Sequence, residues 1–420
     1  MIQKNKWAWA WVPTLYYAQG LPYALVVTVS VIMYKRLGIS NSDLGLYTSL
    51  LYIPWVIKPL WSPFVDLKST KRNWFLGMQL LGSVALLAIG FTLPTNIFFV
   101  TSLACFWIVA FASATNDIAT DGYYMIGLTE EKQSFFVGMR SVFYKLASVT
   151  GQGLLVVFAG FLENHYGDNT KAWSYTMICA GSLMLFMTIA NFIATPKFES
   201  SDAIVLEKPK SFLEVFASFF KKPGIGIALT FILFFRLGES QLVKMASPFL
   251  LDPTSVGGLG YSTSEVGTIY GTIGVIFLTI GGILGGILIS RQGLKKWMLP
   301  MLISLNAPNA LYALLALTET TNAIAVTGTV IVEQFGYGFG IAGFMVYLIY
   351  VAEGNSKTSH YALATGFMAL GMMLPGLISG FMQEWLGYSG FFIWVVVASL
   401  PAFFILKYVK YPAEFGKATK

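Results

Sequence analysis

Charged residues are scarce in this sequence, and so are the residues that bind metals or form disulfides. Asp, Glu, Lys and Arg make up 11% of the 420 residues, whereas hydrophobic residues make up 56%. Apolar stretches this long and this numerous cannot be hidden in one core, which excludes a soluble globular protein. We interpret the two cysteines, Cys105 and Cys179, as small core residues, and the two histidines, His165 and His360, as solvent-exposed residues near loops.

Signatures of enzymes, pumps and metal centres are also missing. The sequence has no phosphate-binding P-loop, no cluster with the spacing of metal ligands and no nucleophile triad, so we expect no enzyme, no metal, no cofactor and no ATP-driven pump. The net charge of +7 does not require a nucleic acid partner, because the positive-inside rule of membrane proteins explains it. An intramembrane aspartyl protease would need aspartates on two helices, whereas Asp117 and Asp121 lie on one.

Twelve apolar segments are long enough to cross a bilayer, which takes about 20 residues of α-helix. We predict an all-α membrane protein with spans at 7–34, 44–65, 74–93, 96–126, 134–162, 172–195, 224–250, 265–290, 296–317, 322–351, 360–384 and 388–408. With both termini in the cytoplasm, the loop lysines and arginines lie almost entirely inside. Lys35, Arg36 and Lys171 are the exceptions.

A short repeat relates the two halves of the chain. Residues 37–45 (LGISNSDLG) match residues 259–267 (LGYSTSEVG), and both carry a Ser followed three residues later by an acid, a pattern that caps a helix. The copies lie six predicted spans apart in corresponding loops, which indicates two six-helix bundles related by a parallel repeat. We therefore predict an N-terminal bundle at 1–195, a cytoplasmic linker with a short amphipathic helix at 196–223, and a C-terminal bundle at 224–420.

Ionisable residues inside the spans are the first candidates for function, because charges in a membrane are costly. Asp117 and Asp121 lie one helical turn apart on one face, and two carboxylates that close are not both expected to be ionised in a low-dielectric site. We predict that these two residues and Glu333 couple protons to transport, with Lys58 and Lys145 as ion-pair partners of the aspartates. The alternative is that span four contains only structural salt bridges.

Candidate substrate-binding residues accompany these charges. They are Tyr16, Tyr17, Gln19, Asn116, Tyr123, Tyr124, Arg236, Glu239, Lys244, Gln334 and Tyr337. Aromatic rings can stack on sugars, amides and hydroxyls can form hydrogen bonds, and Arg236 or Lys244 can hold an anionic group of a substrate. In the alternative interpretation, the aromatic residues face lipid, and the two cations merely neutralise Glu239.

Three stretches resemble the muropeptide permeases (AmpG-type) of the major facilitator superfamily. They are 17–22 (YAQGLP), 58–66 (KPLWSPFVD) and 113–121 (SATNDIATD), and the likeness covers mainly residues 10–160. The resemblance implies a twelve-helix major facilitator fold and import of anhydromuropeptides driven by protons across a bacterial inner membrane. Larger members of that family carry two further spans, and Ser62 stands where the loop motif of the superfamily has glycine.

The resemblance also implies a cytoplasmic gating loop after the second span. Asp66, Lys71 and Arg72 belong to this loop, and we group with them Glu131 and Arg140, which follow span four. We assign no metal-binding residue and no catalytic residue.

The sequence thus predicts a proton-coupled secondary transporter that imports a cell-wall-derived sugar-peptide or an amino sugar by alternating access. Its expected partners are a small-molecule substrate, protons and the lipid bilayer, without nucleic acid, and we expect a monomer. The alternatives are a transporter of another amphipathic solute, such as a siderophore, a coenzyme A ester or a drug, and a membrane receptor that binds without transport. We expect a multi-pass protein of the bacterial inner membrane with both termini in the cytoplasm.

Overall fold

The computed structural model of the protein describes residues 8–62, 64–65, 69–197, 212–354 and 357–417. Regular structure in these ranges is helical throughout, which confirms the predicted all-α class. The helices are α1 (Ala8–Arg36), α2 (Asn41–Leu50), α3 (Ile53–Ile57), α4 (Lys71–Thr92), α5 (Phe98–Gly127), α6 (Glu130–Ser148, continued by Val149–Leu155 and Val156–Tyr166), α7 (Asn169–Ala194), α8 (Phe212–Phe220), α9 (Ile225–Leu251), α10 (Thr263–Gln292), α11 (Leu294–Thr318), α12 (Ala323–Ala352) and α13 (Lys357–Leu406).

Ten helices of the described ranges are long and apolar enough to cross a membrane. One of them, α13, contains the last two predicted spans, which are separated by a backbone break at Gly387 with φ 65° and ψ 174°. The second predicted span is divided into α2, α3 and the 3-10 turn Lys58–Leu60. Pro54 lies in the first turn of α3, where its missing N–H and fixed φ favour a new helix start. When α13 is counted as two spans and the divided α2–α3 segment as one, this segment and the ten long helices account for all twelve predicted spans.

The chain forms two compact units. Unit 1 comprises residues 1–38, 60–207 and 263–271, and unit 2 comprises residues 39–59, 208–262 and 272–420, as far as these residues are described. Each unit contains most of one predicted bundle, but α2 and α3 belong to unit 2 and the first residues of α10 belong to unit 1. The bundle boundaries at 195 and 224 stay a prediction, and residues 198–211 of the predicted linker lie outside the described part of the chain.

Small residues allow the helices of unit 1 to approach closely. A Cβ atom at Gly90 of α4 would lie 2.6 Å from Cγ1 of Ile178 in α7, and one at Gly181 of α7 would lie 2.8 Å from Cγ of Leu87 in α4. Both distances are too short for a carbon–carbon contact. The pairing of α4 with α7 therefore depends on glycine at both positions, as is common where membrane helices cross.

In unit 2, helices also pack closely at glycine, and the unit has an aromatic core in addition. A Cβ atom at Gly281 of α10 would meet the backbone carbonyl of Phe335 in α12, so these two helices also pack backbone to backbone. Deeper in the unit, the rings of Phe235 and Phe344 are stacked with centroids 4.2 Å apart, and both side chains are fully buried. These contacts hold the middle of α9 against α12.

The repeated segment makes the same kind of contact in each unit. In unit 2, the Ser40 side chain caps α2, as predicted, and Ser42 binds the Glu384 carboxylate through its backbone N–H (2.8 Å) and its hydroxyl. In unit 1, the Thr263 hydroxyl donates to the Glu163 carboxylate at 2.6 Å. Each copy of the repeat thus joins the start of a helix to an acid of another helix, which agrees with the predicted parallel repeat.

A short helix, α8, lies on unit 2. Its Phe219 is fully buried, with its ring 5.4 Å from that of His360, and its Ser218 hydroxyl lies 2.9 Å from Nε2 of the same histidine. The expectation that His360 is solvent-exposed is therefore wrong, because α8 covers it. His165, in contrast, is exposed as predicted.

Candidate functional site

Asp121 on α5 is the centre of a charged cluster in unit 1. Its Oδ1 atom accepts hydrogen bonds from Arg140 of α6 at 2.7 Å and from the Tyr16 hydroxyl of α1 at 2.9 Å. The Arg140 guanidinium also lies over the rings of Tyr16 and Tyr124, 4.3 and 4.5 Å from their centroids. The side chains of Asp121 and Arg140 are 44% and 29% exposed. This ion pair is therefore accessible and is held by two aromatic residues.

The other charges predicted near span four are placed differently. Asp117 and Lys145 are half-buried residues of unit 1, and Lys145 forms no ion pair with a residue of the described ranges. Lys58 is a half-buried residue of unit 2 in the 3-10 turn after α3. The cation paired with Asp121 is thus Arg140, which was predicted for the gating loop, and the ion-pair roles of Lys58 and Lys145 stay predictions.

Asn116 belongs to a chain of amides that joins four helices of unit 1. Its Oδ1 accepts from Gln79 Nε2 of α4 at 3.1 Å, and the Gln79 Oε1 accepts from Asn191 Nδ2 of α7 at 3.0 Å. Asn191 also lies within reach of the Thr14 carbonyl of α1. All three amide side chains are buried. Such a network orders the helices around Asp117 and Asp121 without adding charge.

The remaining residues predicted for unit 1 lie in mixed surroundings. Tyr17 donates to the Thr150 hydroxyl at 2.9 Å and is half-buried, whereas Tyr123 is fully buried and donates to the Pro196 carbonyl at 2.6 Å. Gln19 is buried, and its Oε1 accepts no hydrogen bond from the described residues. The structure therefore places Tyr123 in the core, while Gln19 retains an unused acceptor.

Arg72 and Lys71 of the predicted gating loop are both buried. Arg72 donates to the carbonyls of Thr195 (2.9 Å) and Phe192 (2.7 Å), the last turn and cap of α7, where a cation also complements the helix dipole. Lys71 is buried beside Gly122 of α5, whose added Cβ would lie 3.0 Å from Lys71 Cε. Asp66 and the side chain of Glu131 lie outside the described residues.

Unit 2 contains a buried ion pair where α9 is interrupted. The helix Ile225–Phe234 ends before Arg236, and Leu237–Leu251 begins after it. Arg236 binds Glu239 through two hydrogen bonds of 2.7 and 2.9 Å, and it donates to the Tyr337 hydroxyl at 3.0 Å. Glu239 lies in the first turn of the second segment, where a carboxylate is favoured by the helix dipole. Arg236 thus neutralises Glu239 and orients Tyr337 of α12.

Lys244, two turns further along α9, is a buried cation with no carboxylate partner in the described structure. Its Nζ donates to the Thr48 hydroxyl of α2 at 3.0 Å and lies 5.0 Å from the centre of the Tyr52 ring. A Cβ at Gly376 of α13 would lie 3.5 Å from Lys244 Cγ, so the stem is packed against that helix. A hydroxyl and an aromatic face stabilise an ammonium group, but they do not cancel its charge.

Glu333 on α12 is the complementary case, a buried acid with no cationic partner among the described residues. It accepts from the Gln334 amide at 3.0 Å, and the Tyr312 hydroxyl of α11 lies 3.5 Å away. Arg236, Glu239, Lys244 and Glu333 are each 1–3% exposed. Among its described residues, unit 2 therefore encloses one balanced pair and two buried charges that no ion pair balances.

Comparison with known proteins identifies the fold to which this geometry belongs. Residues 16–380 match the Major Facilitator Superfamily. The chain belongs to this superfamily. It is 27% identical over 411 residues to the anhydromuropeptide permease of Escherichia coli (strain K12), across 96% of this chain and 79% of that protein. It is 24% identical over 410 residues to the putative transporter AmpG 4 of Rickettsia conorii (strain ATCC VR-613 / Malish 7), across 93% of each chain.

The solved structure of a D-xylose–proton symporter has the same fold, with a TM-score of 0.76 at 14% identity over 98% of this chain and 99% of that one. The predicted major facilitator fold and the predicted resemblance to muropeptide permeases are both confirmed. This member of the superfamily is a multi-pass membrane transporter of a small molecule and not an enzyme.

Several residues of the site were not predicted from the sequence. Gln79 and Asn191, which hold Asn116, and Thr48, which binds Lys244, are polar residues in otherwise apolar spans. That contrast could have marked them as candidates. Nothing in the local pattern, however, indicates that Tyr312 approaches Glu333, because that contact depends on how α11 packs against α12.

Proposed function

We propose that this superfamily member couples protons to the import of an anionic cell-wall fragment, an anhydromuropeptide or a related amino sugar. The name of the Escherichia coli relative supports the substrate class. The observation that carries the proposal is the pair of unbalanced charges in unit 2, the cation of Lys244 and the acid of Glu333. Each charge is costly when buried alone. Lys244 is suited to bind the anionic substrate, and Glu333 is suited to carry the proton.

Lys244 is the proposed contact for a carboxylate of the substrate. Its ammonium group uses one donor on Thr48 and has two further donors. A substrate carboxylate would supply the missing counter-charge, and a charge-assisted hydrogen bond of this kind contributes about 1.5–3 kcal/mol. Arg236 is already bound to Glu239, so it supports Tyr337 and the local structure of α9 rather than the substrate charge.

Glu333 is the proposed first proton carrier. Asp117, on the same face of α5 as Asp121, keeps its predicted role as a second carrier. The lack of a cation among the described residues supports the role of Glu333. A buried carboxylate without a cation is far cheaper when protonated, which lets proton uptake and release change the charge of α12. Asp121 is already paired with Arg140, so we give it the role of holding that arginine over Tyr16 and Tyr124. A proton taken from outside would neutralise the carrier for the inward step, and its release into the cytoplasm would restore the charge for the return.

Uptake by proteoliposomes tests this function. Purified protein is reconstituted with an imposed pH gradient, and radiolabelled anhydromuropeptide, a neutral amino sugar, a siderophore and a coenzyme A ester are offered in turn. We expect accumulation of the anhydromuropeptide that disappears when a protonophore collapses the gradient. Accumulation that is the same with and without the pH gradient would disprove proton coupling. Uptake of one of the other solutes in place of the anhydromuropeptide would change the substrate class. Binding without uptake in sealed vesicles would indicate a receptor.

We also propose that the protein lies in a bacterial inner membrane with both termini in the cytoplasm. The distribution of lysine and arginine supports this orientation. The test needs a background in which Cys105 and Cys179 are replaced by serine. A cysteine introduced in the 198–211 segment should then react with a membrane-impermeant maleimide in inverted vesicles and not in intact spheroplasts. The opposite pattern would reverse the orientation.

A further inference from the structure

A cavity of about 670 Å³ lies in unit 2 where three membrane-spanning helices end. It is lined by the chain before and at the start of α9, by the end of α12 and by the segment after α13. Because α9 begins at Ile225, α12 ends at Ala352 and α13 ends at Leu406, the cavity lies at a boundary of the apolar spans. Its volume is within the range of ligand pockets, roughly 300–1,000 Å³.

The lining of the cavity carries a net positive charge. Among the described lining residues, Lys222 and Lys410 contribute cations, and Glu353 contributes the one acidic side chain. The Lys222 ammonium donates to the carbonyls of Val351 at 2.6 Å and Glu353 at 2.7 Å, which fixes it at the cavity wall with one donor left. Partial burial lowers the pKa of Lys222, and the Glu353 carboxylate only partly offsets this effect. A bound anion would stabilise the charged form further.

The rest of the lining is aromatic and apolar. Tyr347, Tyr350 and Tyr408 contribute to it, and tyrosine is enriched where a membrane meets water. Ile227 of α9 also lines the cavity, and its side chain is exposed at the surface of the unit. A ligand with a charged end and an apolar end matches this combination better than a soluble anion does.

We propose that this cavity binds the phosphate group of an anionic phospholipid, with Lys222 and Lys410 as its cationic contacts and an acyl chain beside α9. Basic pockets between membrane helices are suited to lipid head groups because they combine charge with access from the bilayer. None of the residues assigned above to the substrate or the proton lines the cavity. The lipid would therefore be a structural or regulatory ligand that is independent of the transported solute.

Native mass spectrometry of the purified full-length protein tests the proposal by counting bound phosphatidylglycerol and phosphatidylcholine. We expect a clear preference for phosphatidylglycerol and an approximately fivefold weaker affinity after Lys410→Gln, since a surface lysine contributes about 1 kcal/mol to anionic lipid binding. This substitution leaves the backbone contacts of Lys222 intact. Lys222→Gln should have at least the same effect. The matched control is Lys295→Gln with Lys296→Gln, two exposed lysines at the start of α11, which should leave the affinity unchanged.

Three results would overturn the assignment. Equal retention of the two lipids, or the same loss in the Lys295 and Lys296 control, would mean that general surface charge alone attracts lipid. Displacement of phosphatidylglycerol by millimolar inorganic phosphate, with phosphate bound in its place, would identify a soluble phosphate ligand instead. Because neither measurement involves transport, the outcome does not depend on whether the proposed function is correct.

Discussion

The charged clusters of the two units differ in how their charges are enclosed and balanced. In unit 1, Asp121 is paired with Arg140, both side chains are partly exposed, and Tyr16 contacts both of them. In unit 2, the four charged residues of the cluster, Arg236, Glu239, Lys244 and Glu333, are all buried, and Lys244 and Glu333 have no ion-pair partner within the described structure. An accessible ion pair adds little stability, whereas a buried charge without a partner costs stability. This cost is the reason why we propose a functional role for the two unbalanced charges of unit 2.

Replacing the buried acid of unit 2 should have the largest effect on transport. We expect Glu333→Gln to abolish accumulation driven by a pH gradient while exchange of substrate between the two vesicle faces continues, because the amide keeps the shape and cannot release a proton. Exchange and accumulation are measured with the same radiolabelled substrate. Asp121→Asn in unit 1 is the matched substitution and should retain accumulation, and Asp117→Asn tests the second carrier.

The opposite result would reverse the comparison between the units. If Asp121→Asn or Asp117→Asn abolishes accumulation and Glu333→Gln does not, the proton switch lies on α5 in unit 1. Glu333 would then be only a buried structural acid that is held by Gln334.

Removing the unbalanced cation of unit 2 should have the next largest effect. We expect Lys244→Gln to raise the KM for an acidic substrate at least about tenfold, because it removes one charge-assisted hydrogen bond worth about 1.5–3 kcal/mol, and to change uptake of a neutral analogue much less. Lys244→Arg keeps the charge and should retain more of the affinity. An equal loss for acidic and neutral substrates would mean that Lys244 serves only to pack α9 against α2 and α13.

Breaking the buried pair of unit 2 should destabilise the fold. We expect Arg236→Gln to lower the free energy of unfolding by about 3–5 kcal/mol, because it leaves Glu239 buried and uncompensated. The double variant Arg236→Gln, Glu239→Gln should recover most of that loss. Denaturant unfolding in detergent micelles measures both variants. A double variant as unstable as the single one would show that the hydrogen bond to Tyr337, and not the charge, matters.

The accessible pair of unit 1 should give the smallest effect in the same unfolding measurement. We expect Arg140→Gln to cost about 1 kcal/mol, the sum of a partly exposed ion pair and weak contacts with two aromatic rings. A loss as large as that of Arg236→Gln would mean that exposure does not distinguish the two pairs. The comparison between the units would then have no energetic basis.

The sequence was most informative where a pattern extends over many residues. The twelve apolar segments predicted the spans, and the repeated Ser40 and Ser262 segments pointed to a parallel repeat, because both signals depend on local helix formation. Charged residues in apolar spans, such as Arg236, Lys244 and Glu333, could also be recognised from the sequence, because a charge in a membrane is costly. The sequence was less informative about which side chains form ion pairs, because Arg140 rather than a lysine pairs with Asp121.

Sequence alone therefore determined the fold class of this protein, the number of its spans and the residues whose charge needs an explanation. Hydrophobic length and the cost of burying ions act on each segment separately, so they are visible without a structure. Only the tertiary structure decided that Arg236 donates to the hydroxyl of Tyr337 and that Lys244 meets the hydroxyl of Thr48. Those contacts join helices distant in the chain, and helix packing, not local sequence, brings their side chains together.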